Sequence, residues 1–276
     1  MKNSKYKKMA IILLILLGIL LLLLLLLFTL FRVNKVELHF KNETSIFNSV
    51  EYQNEIISTS GILDYSTIFS VKKSSVVNNI EKEYPYIKVI NIETVFPNSI
   101  IIHCAQREEA YYVQVGNNLY YLVDEEFKVL GLSSSYDENS KKAVLLFGIE
   151  IDNKTAKIGE VLEFSNSYIA RELINSFAYN NKNITDFIYM FKSVEYEIST
   201  TRYYYTNQYE IALVLTTYDN FKIKLELARC NLIEKVGIMI GLIPKSYKHY
   251  NTSTLIIELN PENVMDYKIV YKANME

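Results

Sequence analysis

The chain has 276 residues, 29 basic and 31 acidic, for a net charge of −2; that is enough for about two domains and too little positive field to hold a nucleic acid. Its 8 Gly and 4 Pro exclude collagen-like, flexible-linker and Pro-rich stalk classes. His39, His103, His249, Cys104 and Cys230 are scattered without the spacing of a zinc site, and the two distant cysteines read as separate buried thiols rather than a disulfide.

Met9 to Phe31 contains no charged residue and includes the unbroken run Leu20 to Leu27. As a helix it would extend about 34 Å at about 1.5 Å per residue, slightly more than a hydrocarbon core of about 30 Å. The apolar run continues through Phe28, Leu30 and Phe31 into Arg32 with no small-x-small site, so it reads as an anchor and not as a cleaved signal. Lys2, Lys5, Lys7 and Lys8 precede the span with no acid among them, whereas Arg32, Lys35 and Lys41 follow it beside Glu37 and Glu43. That bias places a short N-terminal tail, residues 1–8, in the cytoplasm and the body outside. Gly18 stands alone, so the span carries no GxxxG pairing device.

After the span, Val33 to Phe40 alternates Val36, Leu38 and Phe40 against Glu37 and His39, a strand with His39 on its solvent side. Ser49 to Ser58 reads as a short helix ended by Ser60 and Gly61. Lys72 to Glu83 reads as a second, with Val76, Val77 and Ile80 on one face and Pro85 closing it. Ile87 to Val95 and Ser99 to Gln106 are strands around a turn at Phe96, Pro97 and Asn98. The order is β-α-α-β-β, with a core expected from Val36, Leu38, Val76, Ile80 and the Ile87 strand.

From Arg107 the pattern shifts to short strands and turns. Tyr111 to Val115 and Leu119 to Val123 form a hairpin around Gly116, Asn117 and Asn118, and Asp124, Glu125 and Glu126 turn the chain into Lys128 to Leu130. Ser133 to Lys142 is a polar loop. Ile169, Leu173, Ile174 and Phe177 place an amphipathic helix over Ser167 to Tyr179. Ile211, Leu213 and Leu215 alternate into a turn at Tyr218, Asp219 and Asn220. The next strand is expected to turn Phe221, Ile223, Leu225 and Leu227 inward and Lys222, Lys224 and Glu226 outward. Leu232, Val236, Met239 and Ile243 make a last helical stripe stopped by Pro244, and Thr254 to Leu259 is a final strand before a tail, Asn260 to Glu276. The fold class is α+β, with one transmembrane helix and an antiparallel-sheet second domain with helices.

The stretch GILDYSTIFSVKKSSVVNNIEKEYPYIKVINIETVFPNSIIIHCAQREEAYYV resembles the FtsQ/DivIB family of bacterial cell-division proteins across the end of their POTRA module. The matching positions are Gly61, Ile68, Phe69, Pro85, Ile87, Lys88, Phe96, Pro97, Ile101, Arg107, Glu108, Ala110, Asp124, Val129 and Leu130. Leu146 with Gly148, and Glu234 with Lys235, match later segments, and Asn220 stands where the family has Gly. Lys41, Asn42 and Glu43 depart from the usual turn after the first strand, and Glu109 stands in place of Pro. The resemblance implies a tail (1–8), a span (9–31), a POTRA-like module (32–107) and a second β domain (108–276).

No G-x-S-x-G, P-loop or G-x-G-x-x-G motif is present. Glu108 and Glu109 read as strand neighbours that point to opposite faces and cannot share a glycan. The Tyr203 to Tyr205 run reflects strand propensity, and the sequons at Asn42, Asn153, Asn183 and Asn251 are expected by chance in an Asn-rich chain. No catalytic residue, metal or cofactor follows from the residues. The resemblance implies a non-enzymatic scaffold in the inner membrane, enriched at the division septum. Its partners would be FtsB/DivIC-like and FtsL-like coiled-coil proteins and, indirectly, the septal peptidoglycan synthase pair. An envelope enzyme or glycan-binding module is the competing expectation. The last strand, taken as a sheet edge, is either covered by the tail or open to a partner strand. The resemblance implies the second, since it places the coiled-coil partner on the C-terminal strands. The expected contact is Leu255, Ile257 and Leu259, or Ile256 and Glu258, with Lys235 nearby and Tyr267 to Tyr271 as the second choice.

Overall fold

The computed structural model describes residues 2–41, 47, 49–63, 65–116, 118–152, 155–202, 209–243, 253–259 and 267–273. Asn42, Glu43, Asn117, Asn153, Tyr203 to Tyr205, Pro244, His249 and Asn251 lie outside them, as do the side chains of Leu259 and of the four N-terminal lysines. The chain divides into two compact units, one ending at Arg107 and the other beginning at Glu108.

The first unit opens with helix α1 (Lys2–Leu30). Its segment Ile11–Leu30 is the one helix among the described residues that is long and apolar enough to cross a membrane, and none of it is buried in the protein. Strand β1 (Lys35–Phe40), helices α2 (Val50–Thr59) and α3 (Lys73–Glu83), and strands β2 (Ile87–Val95) and β3 (Ser99–Gln106) follow. The sheet runs β1-β3-β2; β1 is parallel to β3, and β2 and β3 form an antiparallel hairpin. Ser49 caps α2 through its hydroxyl, which accepts from the Tyr52 N–H at 3.4 Å. Gly61 ends the following turn at φ 76, which favours glycine, and a Cβ there would come within 2.7 Å of Asn79 Nδ2 and displace the amide that donates to the Ser60 carbonyl at 3.2 Å. The core between helices and sheet holds Leu38, Ile56, Val76, Ile80, Ile87 and Ile102, with Val36 packed at its margin. Arg107 closes the unit. Its guanidinium donates to Glu81 Oε2 at 2.9 Å, while Glu81 Oε1 accepts from the Val89 N–H at 2.9 Å. One carboxylate on α3 thus ties down both β2 and the chain leaving β3.

The second unit is built on one sheet. Its strands are β4 (Tyr111–Gly116), β5 (Leu119–Val123), β6 (Val129–Ser133), β7 (Val144–Phe147), β8 (Phe191–Arg202), β9 (Tyr209–Thr217), β10 (Lys222–Leu225), β11 (Ser253–Leu259) and β12 (Tyr267–Ala273). Helices α4 (Ser167–Tyr179) and α5 (Ile184–Met190) lie between β7 and β8 in sequence, and α6 (Leu232–Leu242) lies between β10 and β11. The spatial order is β12-β11-β10-β9-β8-β7-β4-β5-β6. Most neighbours are antiparallel, but β4 with β7, β7 with β8, and β10 with β11 run parallel. The α4–α5 segment and α6 supply the crossovers that the last two of these pairs need. Helices α4 and α6 pack on each other, and Leu173, Phe177, Phe191, Leu225, Val236, Leu255 and Ile257 belong to a single core cluster.

Three local features explain the turns. Asp124 Oδ1 accepts from the N–H groups of Glu126 at 2.9 Å and Lys128 at 2.8 Å, which closes the turn into β6. Asn220 adopts φ 62, the left-handed conformation that Asn tolerates and Gly adopts freely, at the place where the family has Gly. Gly148 has φ 74, and a Cβ there would fall on the Tyr196 carbonyl of β8.

The structure corrects the sequence reading at five points. The sheet is mixed, where the residue pattern predicts wholly antiparallel pairing. Strands β7 and β8 and helix α5 are additional elements. Glu108 and Glu109 precede β4, which begins at Tyr111, and belong to no strand. The expected C-terminal tail contains β12, so β11 is an interior strand, paired with β10 on one side and β12 on the other. Glu226, expected outward, is completely buried: Ser199 and Thr200 of β8 cover its carboxylate, and Lys224 Nζ lies 3.6 Å from it.

Candidate functional site: the C-terminal sheet edge

The sheet has two outer strands, and they differ in how far they are open. At β6, the Val129 N–H donates to the Glu160 carbonyl at 2.8 Å and the Val129 carbonyl accepts from the Gly159 N–H at 2.8 Å, so a loop covers the start of that edge. At β12, no strand among the described residues pairs with the outer side. Successive residues of an antiparallel strand direct their N–H and C=O groups alternately to the two sides, so alternate residues of β12 direct theirs to the side on which no described strand lies.

Interior position removes most of the residues that the sequence places at the contact. Leu255 and Ile257 are fully buried and Ile256 nearly so, because β11 is flanked on both sides and covered by the core. Glu258 is partly buried and pairs with Lys268 across the hairpin at 3.2 Å. The side chain of Leu259 lies outside the described residues. Lys235 is also fully buried and cannot face a partner. The second choice fares differently: Tyr267 and Tyr271 lie on β12, opposite Leu259 and Leu255 in the register, and Tyr271 and Ile269 are 43% and 42% exposed. Period 2 in Tyr267, Ile269 and Tyr271 against Lys268 and Lys272 is the signal that reveals β12.

Two buried charges hold this edge in place. Lys235, on the first turn of α6, donates to the carbonyls of Glu226 at 2.7 Å, Leu227 at 2.8 Å and Cys230 at 2.6 Å. Burial pulls its pKa down to about 8, so at neutral pH it is an ammonium with all three donors in use. Glu226 Oε2 accepts from the Ser199 hydroxyl and, at 2.9 Å, from the Thr200 N–H. Its Oε1 accepts from the Thr200 hydroxyl at 2.5 Å, and Lys224 Nζ lies 3.6 Å away. The loop that joins β10 to α6 is thereby fixed to β8, next to the register shift that follows Ile198. Tyr267 in turn donates from its hydroxyl to Glu234 of α6 at 2.5 Å; burial, reinforced by that carboxylate, raises its pKa to about 12.

Glu226 makes stability depend on acidity. Burial raises its pKa, but the hydrogen bonds from Ser199 and Thr200 and the charge of Lys224 outweigh this and leave it below 4.5. The folded carboxyl therefore holds its proton less tightly than the unfolded one, so its stabilisation is present above about pH 4.5 and is lost as pH falls through the folded value. Glu226→Gln should be less stable than the parent at pH 7, and the gap between their thermal midpoints should narrow below about pH 4.5. A gap independent of pH would refute this role.

Comparison with known proteins completes the picture of the chain. Residues 48–105 match the FtsQ-type POTRA domain, the segment that contains α2, α3, β2 and most of β3. The chain is 28% identical over 144 residues to the cell division protein DivIB of Clostridium acetobutylicum, a match covering 50% of this chain and 55% of that protein. The chain thus spans about half the length of the curated relative it matches. With an FtsQ-type POTRA match between an apolar N-terminal helix and a large second sheet, the chain is similar to the DivIB cell-division proteins, and its first unit carries an FtsQ-type POTRA domain.

Proposed function

We propose that this chain is a non-enzymatic scaffold of the bacterial division machinery, anchored by α1 with its Lys-rich end in the cytoplasm and its body outside. The open outer side of β12 accepts an extended segment of an FtsB/DivIC-like partner, accompanied by an FtsL-like protein, and through them reaches the septal peptidoglycan synthase pair. The observation that carries this reading is the seven-residue β12 edge, with no strand beyond it among the described residues, in a chain that carries an FtsQ-type POTRA domain and is similar to a DivIB protein. Backbone pairing would supply affinity, while exposed Ile269 and Tyr271 would supply selectivity. A fluorescent fusion should concentrate at the septum of dividing cells, and the membrane-extracted chain should capture FtsB-like and FtsL-like ectodomains. Uniform membrane fluorescence without capture would reject the scaffold. Protease added to protoplasts should degrade the body and leave a membrane-bound stub; a fully protected body would reject the orientation.

The same proposal takes Arg32 to Arg107 as an independently folding POTRA-like module. The isolated segment should then melt cooperatively, and Ile80→Asp should abolish that melt. Ile80 is completely buried between α3 and the sheet, and an unpaired carboxylate there costs several kcal/mol, comparable with the whole stability of a small domain. Circular dichroism checks both; a non-cooperative parent fragment would move the boundary.

A further inference from the structure

The exit of α1 is surrounded by exposed aromatic side chains. The Phe31 N–H continues the helix by donating to the Leu27 carbonyl at 3.0 Å, and the Phe31 carbonyl accepts from the Ile68 N–H at 3.0 Å. Val33 N–H donates to the Ser66 carbonyl at 2.8 Å, and Asn34 N–H to the Asn98 carbonyl at 2.9 Å. The loop between α2 and α3 and the turn between β2 and β3 are therefore both tied to the first residues after the apolar helix. Each carries an exposed phenylalanine: Phe69 is 67% and Phe96 66% exposed. The two rings meet Phe31 and each other, with centroids 5.1 Å apart for Phe31 and Phe69, 6.2 Å for Phe31 and Phe96, and 6.0 Å for Phe69 and Phe96. Tyr65, in the same loop, is also 65% exposed.

We infer that Phe69 and Phe96, with Tyr65 beside them, form a second membrane contact of the first unit, seated in the interfacial layer of the bilayer around the exit of α1. This rests on the reading of α1 as a membrane span. Chain continuity identifies the occupant. Phe31 directly follows Leu30, the last residue of the apolar segment, and the two exposed rings lie within about one ring diameter of Phe31. The interfacial layer on each side of the hydrocarbon core is roughly 5 to 8 Å deep, so rings this close to the end of the span fall within it. Tyr favours that depth through its amphipathic ring, and Phe on an exposed apolar face seats at the boundary between headgroups and acyl chains. Contact through two loops in addition to the helix would restrict the tilt of the β1-β3-β2 sheet against the membrane, which a single flexible connection would not.

The chain contains no tryptophan, so a single introduced indole reports its own surroundings. Full-length Phe69→Trp, Phe96→Trp, Val50→Trp and Leu21→Trp variants would be reconstituted in phosphatidylcholine vesicles carrying lipids brominated either near the headgroup or near the chain end. Val50 is exposed at the opposite end of α2 from the aromatic loop, and Leu21 lies inside the apolar segment. The expected result is blue-shifted emission at 69 and 96, quenched more by the shallow bromines than by the deep ones. Position 21 should be quenched by the deep bromines, and position 50 should be red-shifted and unquenched. Quenching at 21 but not at 69 and 96 would overturn the inference while leaving the span intact, and blue-shifted but unquenched emission at 69 and 96 would assign the rings to a protein contact instead. Failure of quenching at 21 would overturn the span reading, and the inference with it.

Discussion

Replacing Lys235 by alanine should lower the thermal midpoint of the second unit by on the order of 10 °C, a loss of about 4 kcal/mol at the few degrees per kcal/mol expected for a domain of this size. The ammonium is fully buried, and it satisfies the carbonyls of Glu226, Leu227 and Cys230 together. The Leu227 carbonyl also accepts from the Cys230 N–H at 2.9 Å, so the other two carbonyls lose the more important donor. A buried acceptor left without a partner costs about 1 to 3 kcal/mol, and loss of the aliphatic stem adds roughly 0.8 kcal/mol per buried methylene. Lys235→Met keeps most of the stem and loses only the donors, so its midpoint should fall between those of the parent and the alanine variant. Thermal melts followed by circular dichroism measure both. Equal midpoints for all three proteins would mean that water or a rearranged loop replaces the ammonium without cost.

The same residue shows where sequence reasoning stops. Strands β2 and β3 and helix α4 have the bounds that their own residues predict, because alternation, the Phe96-Pro97-Asn98 turn and the Ile169 to Phe177 stripe are local signals. Lys235 reads as a neighbour of a binding surface because it follows Glu234 at the start of a helix matching the family. Nothing in its neighbours along the chain reveals that three carbonyls converge on it, since these belong to a loop whose path depends on β8. Glu226 is the same case: its partners Ser199 and Thr200 are distant in sequence, and the alternation of its own segment does not reveal that β8 covers that side. Strand β8 does carry a local signal, Val194, Tyr196 and Ile198 at period 2. Ile198, however, is 75% exposed and Ser199 is buried, so the register shift after Ile198 hides the full length of the strand from a strict alternation rule. The position of the edge is a matter of topology. Whether β11 or β12 lies outermost depends on pairing between segments, and the short Lys-flanked run from Tyr267 to Tyr271 is a weaker strand signal than the apolar run from Leu255 to Ile257.

Proline in the C-terminal hairpin separates the interior strand from the edge. At Ile256, proline would remove a backbone donor from a strand flanked on both sides by β10 and β12, and the expected result is loss of the second unit's cooperative melt. On β12 the outcome should alternate with position. Ile269 and Val270 pair with Ile257 and Ile256 of β11, and their backbone groups point to opposite sides because successive residues of an antiparallel strand do so. Of Ile269→Pro and Val270→Pro, one should therefore loosen the β11–β12 hairpin and lower the melting midpoint. The other should leave the melt close to that of the parent and remove a donor from the open side, which would weaken capture of an FtsB-like ectodomain. Melting and capture measured on both variants give a result that neither measurement gives alone. Strand addition at β12 requires one folded variant with impaired capture; two folded variants with undiminished capture would place the partner on another surface.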